Sequence, residues 1–400
     1  MEPCHEGHES RDVRTAKRIE KLPPYLFASL DRRIAEARDR GVDVISFAIG
    51  DPDRPTPPNI VQAALAAVAD PANHRYPSYY GLPDLRRAIA GYYLRRFGVT
   101  LDPESQVLPL IGSKEGIHNL ATAFVDPGDV VLVPDPGYPV YATSTILAGG
   151  RPVMVPLPAA DGFQPRLDEI SPGDAVAAKI LWLNYPNNPT AATAGADTFA
   201  RAVGFAREHD LLVAHDAAYV DVTFDGYVAP SLLQTPGAME VGLEFGSLSK
   251  TYNMTGWRVG WAVGSPVAVE ALGRVKTNID SGIFNALQRA AIEALDGPQD
   301  AVAANCEVYR RRRDTLVDGL NSAGWTLSRP RAAIYVFAPT PGGESSGEFA
   351  DFLLEKAGVV VAPGAGYGAE GEGHVRFSLT LPDARLEEGV ERIARALKER

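Results

Sequence analysis

Short apolar runs alternate with longer amphipathic stretches along most of the chain. Residues 44–49 form the first strand-length run, closed by Gly50-Asp-Pro. A helical pattern precedes it over about 26–40, just after Leu22-Pro-Pro-Tyr25. Apolar positions recur at helical spacing over 60–68 and 82–97, the second stretch opened by Pro83-Asp84. Runs at 107–111, 130–133, 179–183, 211–214 and 260–263 read as further strands, with a helix from about Lys114. Four or five consecutive apolar residues suit a strand buried on both faces. The alternation predicts an α/β domain, a mostly parallel sheet covered by helices. After about residue 282 the pattern changes to a long helical region, to about 323, followed by strands at 334–337 and 375–378. That predicts a smaller α+β domain, with Gly/Pro-rich loops at 340–347 and 362–373. The expected division is a flexible tail over 1–17, a segment over 18–49 joining the small domain, a large domain over 50–282 and the small domain over 283–400.

Composition narrows the class of function. The chain has 400 residues, 45% hydrophobic and 22% charged, the balance of a globular protein with a large core. Its net charge of −11 and lack of a basic stripe argue against nucleic-acid binding. The densest basic cluster, Arg310 to Arg313 after Tyr309, is flanked by Glu307 and Asp314 and reads as a solvated helix face. No run of eighteen apolar residues predicts a membrane span, and the N-terminus has no apolar leader pattern. Two cysteines, Cys4 and Cys306, give neither a disulfide framework nor zinc spacing and suit a reducing cytoplasm. The histidines of Cys4-His-Glu-Gly-His8 are three apart in a polar terminal segment, so no metal site is expected there.

The chemistry concentrates in Ser247-Leu-Ser-Lys-Thr-Tyr-Asn-Met-Thr-Gly-Trp-Arg-Val-Gly260. Lys250 stands among small hydroxyl residues, as a lysine that must form a Schiff base requires. Ser247, Ser249 and the planar fork of Arg258 can hold a phosphate. Gly112-Ser-Lys-Glu-Gly116 lies between a strand and a helix, so the first amides of that helix, with Ser113 and Lys114, can cradle the same group. Tyr138, in Pro136-Gly-Tyr-Pro-Val-Tyr141, can stack on a flat ring. Asn188, in Asn184-Tyr-Pro-Asn-Asn-Pro-Thr190, can donate to a ring oxygen. Asp216, in His215-Asp-Ala-Ala-Tyr219, can keep a ring nitrogen protonated, and Tyr219 can reach the same ring. All these segments fall at predicted strand ends, where open α/β sheets bind ligands.

Their order and spacing, from about residue 20 to 397, resemble the class I aminotransferases, enzymes of PLP fold type I, and most of all the L,L-diaminopimelate aminotransferase group. The strings Leu22-Pro-Pro-Tyr-Leu-Phe27 and Val275-Lys-Thr-Asn-Ile-Asp-Ser-Gly282 add to that likeness. The resemblance implies pyridoxal 5′-phosphate as cofactor and assigns it Asn188, Asp216, Tyr219, Lys250 and Arg258. It places Tyr76 at the phosphate of a second subunit, hence a homodimer with shared sites. It makes Arg376, in Val375-Arg-Phe-Ser378, the clamp for the substrate α-carboxylate, and lets the Gly50 backbone approach the substrate. Tyr25, Asn278 and Asp280 become candidates for the substrate's far end. The implied reaction is ping-pong transfer of an amino group between an L-amino acid and a 2-oxo acid, with Lys250 moving the proton.

Three positions depart from the group: Gly246 where histidine is expected, Ala217 where asparagine is, and Ala191 where glycine is usual. They bear on the substrate rather than on the cofactor. A PLP lyase would share every cofactor residue. A regulator built on the same fold is disfavoured because no basic DNA-binding module precedes residue 20. A nucleotide-dependent enzyme lacks its glycine-rich loop.

Overall fold

The computed structural model describes residues 14–23 and 26–400. The Cys4–His8 stretch and Tyr25 lie outside the described residues. Within the tail expected over 1–17, the short helix Lys17–Glu20 already begins, and Arg18 Nη1 donates to the Leu147 carbonyl.

Strand β1 (Ile45–Ser46) is followed by the strands of the large sheet. These are β2 (Val107–Leu110), β3 (Val130–Asp135), β4 (Arg151–Pro156), β5 (Ala178–Asn184), β6 (Leu212–Asp216), β7 (Gly242–Ser247) and β8 (Gly260–Gly264). They lie in the order β2-β8-β7-β6-β5-β3-β4. Neighbours are parallel except at β8, which runs against both β2 and β7. Consecutive residues of β3 serve opposite faces. Val131 and Val133 join a cluster with Ile117, Trp182 and Phe245, while Val130 and Leu132 join one with Leu181 and Phe199. Helices therefore cover both faces, as unbroken apolar strands require.

The topology gathers the functional segments at one edge. Parallel β3, β5, β6 and β7 all finish there, with Asn184 opposite Asp216 and Asp216 opposite Phe245. Antiparallel β8 starts at the same edge, Gly260 opposite both Ser247 and Leu110. The turn after β2 and the turn before β8 thus meet beside the ends of the parallel strands.

The C-terminal region adds β9 (Tyr335–Pro339), β10 (Val359–Val360), β11 (Ala362–Pro363) and β12 (His374–Ser378). An antiparallel sheet runs β11-β12-β9, and β1 pairs in parallel with β10. The N-terminal helix Leu26–Asp39 presents Leu30, Ile34 and Ala37 to a cluster holding Val360, Ala362 and Tyr367.

Several sequence expectations need correction. The long helical region to 323 is two helices, Asn285–Asp296 and Asp300–Ser322, divided at Gly297-Pro298, where proline removes a backbone donor. The first of them packs in one apolar cluster with Leu85, Ile89 and Trp261, against the large sheet. Strands β4 and β7 escape the pattern. The former is an edge strand containing Pro152 and the latter carries Gly242, Glu244 and Gly246. The loop expected over 340–347 ends in a capping box, Ser345 with Glu348, that opens helix Ser346–Ala357. The stretch over 362–373 contains β11 and two short 3₁₀ turns. Arg310 and Arg311 are partly solvated, but Arg312 and Arg313 are buried at 5% and 1% exposure, so the basic cluster is not a solvated face. Arg313 forks Asp225, and Arg312 forks Asp53. Among the described residues no helix is long and apolar enough to cross a membrane, and no cluster of acidic, His and Cys side chains could hold a metal.

Candidate active site

A cavity of about 440 Å³ opens at the gathered strand ends. Its wall includes Gly50, Ser113, Lys114, Tyr138, Asn188, Asp216, Tyr219, Ser247, Ser249, Lys250, Arg258 and Arg376, so twelve residues named from the sequence meet in one cleft. Tyr76 does not line it. That side chain is 86% exposed, in a separate surface groove with His74, Ser281 and Phe284. Asn278 and Asp280 do not line it either. Asn278 donates to the Arg274 carbonyl, and Asp280 accepts from Lys276 at 2.6 and 2.7 Å.

The anion-binding corner is set by backbone. Gly112, at φ 75°, precedes helix Ser113–Phe124 and turns its free amides toward the cleft. A Cβ at Gly112 would push the Arg258 guanidinium aside, so glycine there provides the positive φ and leaves Arg258 its place. A Cβ at Gly260 would meet the Ser113 nitrogen at 2.6 Å, which keeps the two turns in contact. Arg258 adopts the left-handed conformation at φ 56° and donates from Nη1 to the Thr255 carbonyl at 2.8 Å. Ser247 caps the short helix Leu248–Thr251 that carries Lys250. Burial, then the Arg258 charge, lower the Lys114 pKa. The corner thus joins helix amides, three serines and two cations, a seat for a phosphate-sized anion.

Lys250 Nζ donates to the Gly50 carbonyl at 2.6 Å. Burial pushes its pKa down to about 8, Asp51 opposes the shift, and Arg376 and Arg258 add to it. A lysine so placed becomes a neutral amine above about pH 8, well below the range of an ordinary lysine, and that is the form that attacks a carbonyl or takes a proton.

Asp216 ends β6 almost fully buried. Its Oδ2 accepts from the Tyr141 hydroxyl at 2.8 Å, whereas Oδ1 is enclosed with no hydrogen-bond partner. Burial raises its pKa, and the bonds from Tyr141 and the Ala218 amide act in the opposite sense. An enclosed carboxylate oxygen facing a cleft is completed by a cationic N–H. Tyr141 itself lies flat on Trp182, ring centres 4.8 Å apart and 19° between planes.

Arg376, on β12, crosses from the smaller sheet into the cleft. Its Nη1 donates to Asn188 Oδ1 at 2.8 Å and its Nη2 to the Ala48 carbonyl at 2.6 Å. The guanidinium carbon lies 4.1 Å from the centre of the Tyr335 ring. Tyr335 and Tyr219 share a hydroxyl–hydroxyl bond of 3.0 Å. Asn188 is held in turn by Asn184, whose Oδ1 accepts the Asn188 amide. Sequence reasoning passed over Tyr335, Tyr141, Asn184 and Asp51. Tyr141 sits in the same string as Tyr138 and was legible as a second aromatic. The strand pattern at 334–337 carries nothing to mark Tyr335 as a site residue.

The model of the aminotransferase class I and II family matches residues 42–393. The chain is a class I and II aminotransferase. The LL-diaminopimelate aminotransferase of Desulforudis audaxviator is 60% identical over 378 residues, which are 94% of this chain and 96% of that protein. The enzyme of the same name from Moorella thermoacetica is 54% identical, over 96% and 99%. Among solved structures, substrate-bound BacF of Bacillus subtilis has TM-score 0.92 and 37% identity, over 96% of this chain and 98% of that one. The probable N-succinyldiaminopimelate aminotransferase of Thermus thermophilus has TM-score 0.87 and 39% identity, over 93% and 100%.

Within this aminotransferase, the three departures at Ala191, Ala217 and Gly246 do not line the cleft. Gly246 lies opposite Trp261, and a Cβ there would run into the indole. A histidine at 246 would displace Trp261 from the apolar layer it shares with Tyr93 and Leu248. Ala217 is buried in that same layer. Ala191 is buried beside Tyr219 and Tyr335 at φ 58°, where glycine would be relaxed.

Proposed function

We propose that this aminotransferase is pyridoxal-phosphate-dependent and exchanges the amino group of LL-diaminopimelate against 2-oxoglutarate by a ping-pong mechanism, as a cytoplasmic homodimer. The carrying observation is the meeting of a lysine of lowered pKa, an enclosed carboxylate oxygen and a buried arginine around one cleft. The names and identities of the relatives from Desulforudis and Moorella support the substrate.

The residues fit the cofactor. Ser113, Lys114, Ser247, Ser249 and Arg258 would hold its phosphate, Tyr138 would stack on its ring, and Asn188 and Tyr219 would meet its ring oxygen. Asp216 Oδ1 would gain the hydrogen bond it lacks by accepting the N–H of the ring nitrogen. When bound, pyridoxal phosphate supplies an electron-poor ring that takes up the electron pair released at the substrate Cα. Asp216 keeps the ring-nitrogen proton in place. Arg376 receives the α-carboxylate on its planar fork and so fixes the direction of the Cα–H bond. Lys250 Nζ, as a neutral amine, would take the proton from the substrate Cα and give it back to the carbon on the other side of the amino nitrogen. Gly50 leaves the substrate room beside the lysine.

The homodimer reading comes from the family resemblance and is supported by exposed aromatic side chains. Tyr76, Tyr79, Tyr80 and Phe284 all stand out on the surface, an arrangement costly in a monomer. In the dimer, Tyr76 would complete the phosphate seat of the opposite subunit.

The test is half-transamination of the yellow holoenzyme, followed by absorbance with one amino acid at a time. Rapid bleaching by LL-diaminopimelate and by L-glutamate is expected. Bleaching by glutamate alone would discard the substrate. Release of ammonia without bleaching would replace the reaction with an elimination.

A further inference from the structure

The strap over residues 49–56, which brings Ile49, Gly50 and Asp51 to the cleft, is held at its start by Thr380, whose Oγ1 donates to the Ile49 carbonyl at 2.9 Å, and beyond that by a helix of the C-terminal region. Helix Asp300–Ser322 presents Asn305, Tyr309 and Arg312 on one face, at spacings of four and three. Arg312 donates from Nη1 and Nη2 to the two carboxylate oxygens of Asp53 at 2.7 and 2.9 Å. Its Nε donates to Asp383 at 2.6 Å, and its Nη1 also reaches the Leu379 carbonyl at 3.0 Å. Two turns earlier, Asn305 Nδ2 donates to the Thr251 carbonyl, the residue after Lys250. Asn305 Oδ1 accepts from Asn253, which also donates to the Pro55 carbonyl at the far end of the strap. Thr56 Oγ1 closes the loop on the Asn253 carbonyl at 2.8 Å.

One rigid helix therefore grips both the strap and the turn that carries the lysine. The spacing between its two grips, together with the Thr380 bond to Ile49, holds the Gly50 carbonyl against Lys250 Nζ, 2.6 Å away. We infer that Arg312 is a positioning residue for the amino-transfer reaction, holding Gly50 against Lys250 through its fork on Asp53. The inference rests on the role given to Lys250 above. Lysine cannot replace Arg312, because a point charge reaches one carboxylate oxygen where the guanidinium spans two and still donates sideways from Nε.

Arg313 provides an internal control. It is the next residue, is more deeply buried, and forks Asp225, which lines no part of the cleft. The experiment compares R312K, D53N and D225N in the purified full-length holoenzyme. It reads melting temperature, hydrogen–deuterium exchange of peptides covering 49–56, and kcat and KM for both substrates. R312K and D53N are expected to speed exchange in the strap and lower kcat/KM by about ten- to a hundredfold. D225N is expected to lower melting temperature while leaving strap exchange and kcat/KM within about twofold. D53N changes a side chain that is 21% exposed, so it yields folded protein even if R312K does not. Unchanged strap exchange in both R312K and D53N, or kinetics matching those of D225N, would overturn the inference. K250A is run alongside. Turnover in that variant would refute the role of Lys250 itself, whereas the exchange data report on the strap independently.

Discussion

His215 and Asp216 are adjacent at the end of β6, and both are buried. Strand geometry turns them to opposite faces of the sheet. On the closed side, His215 Nδ1 meets Glu244 Oε2 at 2.8 Å and Nε2 meets the Tyr185 carbonyl at 2.9 Å. Glu244 also accepts from the Tyr93 hydroxyl, the Ser231 hydroxyl and the Leu232 amide. Every polar atom of that pair has a partner. On the cleft side, Asp216 has one oxygen bonded to Tyr141 and the other without a bond. Both regions carry buried charge at a strand end, so burial alone does not mark an active site. What separates the two is that an acceptor without a bond belongs to a residue of the cleft wall, where something bound can complete it.

The widest contrast is between removing charge on the two sides. Asp216→Asn should lower kcat by about a hundred- to a few thousandfold, the kinetic equivalent of losing a buried charged partner worth about 3–5 kcal/mol. Its melting temperature should stay close to the parent, since the carboxylate is already strained by burial. Glu244→Gln should do the reverse and cost about 3–5 kcal/mol in denaturant unfolding, with kcat of the folded fraction within a few-fold. Equal kinetic loss in both variants would erase the distinction between the two sides.

A smaller effect concerns Tyr141. Tyr141→Phe removes the one side-chain bond to Asp216 and keeps the stacked ring, so kcat should fall about tenfold, as expected for a hydrogen bond to a charged group. Steady-state kinetics at saturating donor would measure it.

The lysine gives a pH signature. Its folded pKa, about 8, lies below the ordinary 10.5. Between these values the folded state holds fewer protons than the unfolded one, so the lysine's contribution to stability rises with pH across that window. The amine is neutral above about 8. Acylation of Lys250 in cofactor-free protein, followed by mass spectrometry, should therefore rise with a midpoint near 8. A midpoint near that of surface lysines would show that burial does not act as described.

The smallest expected change is at Ala191, held at φ 58°. Ala191→Gly should stabilise by about 1 kcal/mol, read from chemical denaturation, with kinetics unaltered because the residue stands outside the cleft.

Most of the site was legible before the structure because each piece is local. A lysine between serines, an aspartate ending an apolar run and a glycine before a helix carry their chemistry in a few consecutive residues. The closed half of the comparison was not legible. Glu244 interrupts β7 and resembles a surface residue in sequence, yet it is fully buried, its two oxygens met by Tyr93, His215, Ser231 and Leu232.

The sequence by itself determined the alternation of buried strands and amphipathic helices, hence the layered α/β architecture, and twelve of the eighteen residues that line its cleft. Periodicity reports which positions avoid water, and a parallel sheet forces its strand ends to one side. Tertiary structure alone decided what each polar residue meets. Arg310 to Arg313 read alike in sequence, but two face solvent while two enter the interior, one of them to fork Asp53 on the strap beside Lys250. Tyr335 became part of the site only because the smaller sheet packs over the strand ends of the larger one. Such pairings depend on which faces dock across hundreds of residues, and no local pattern encodes them.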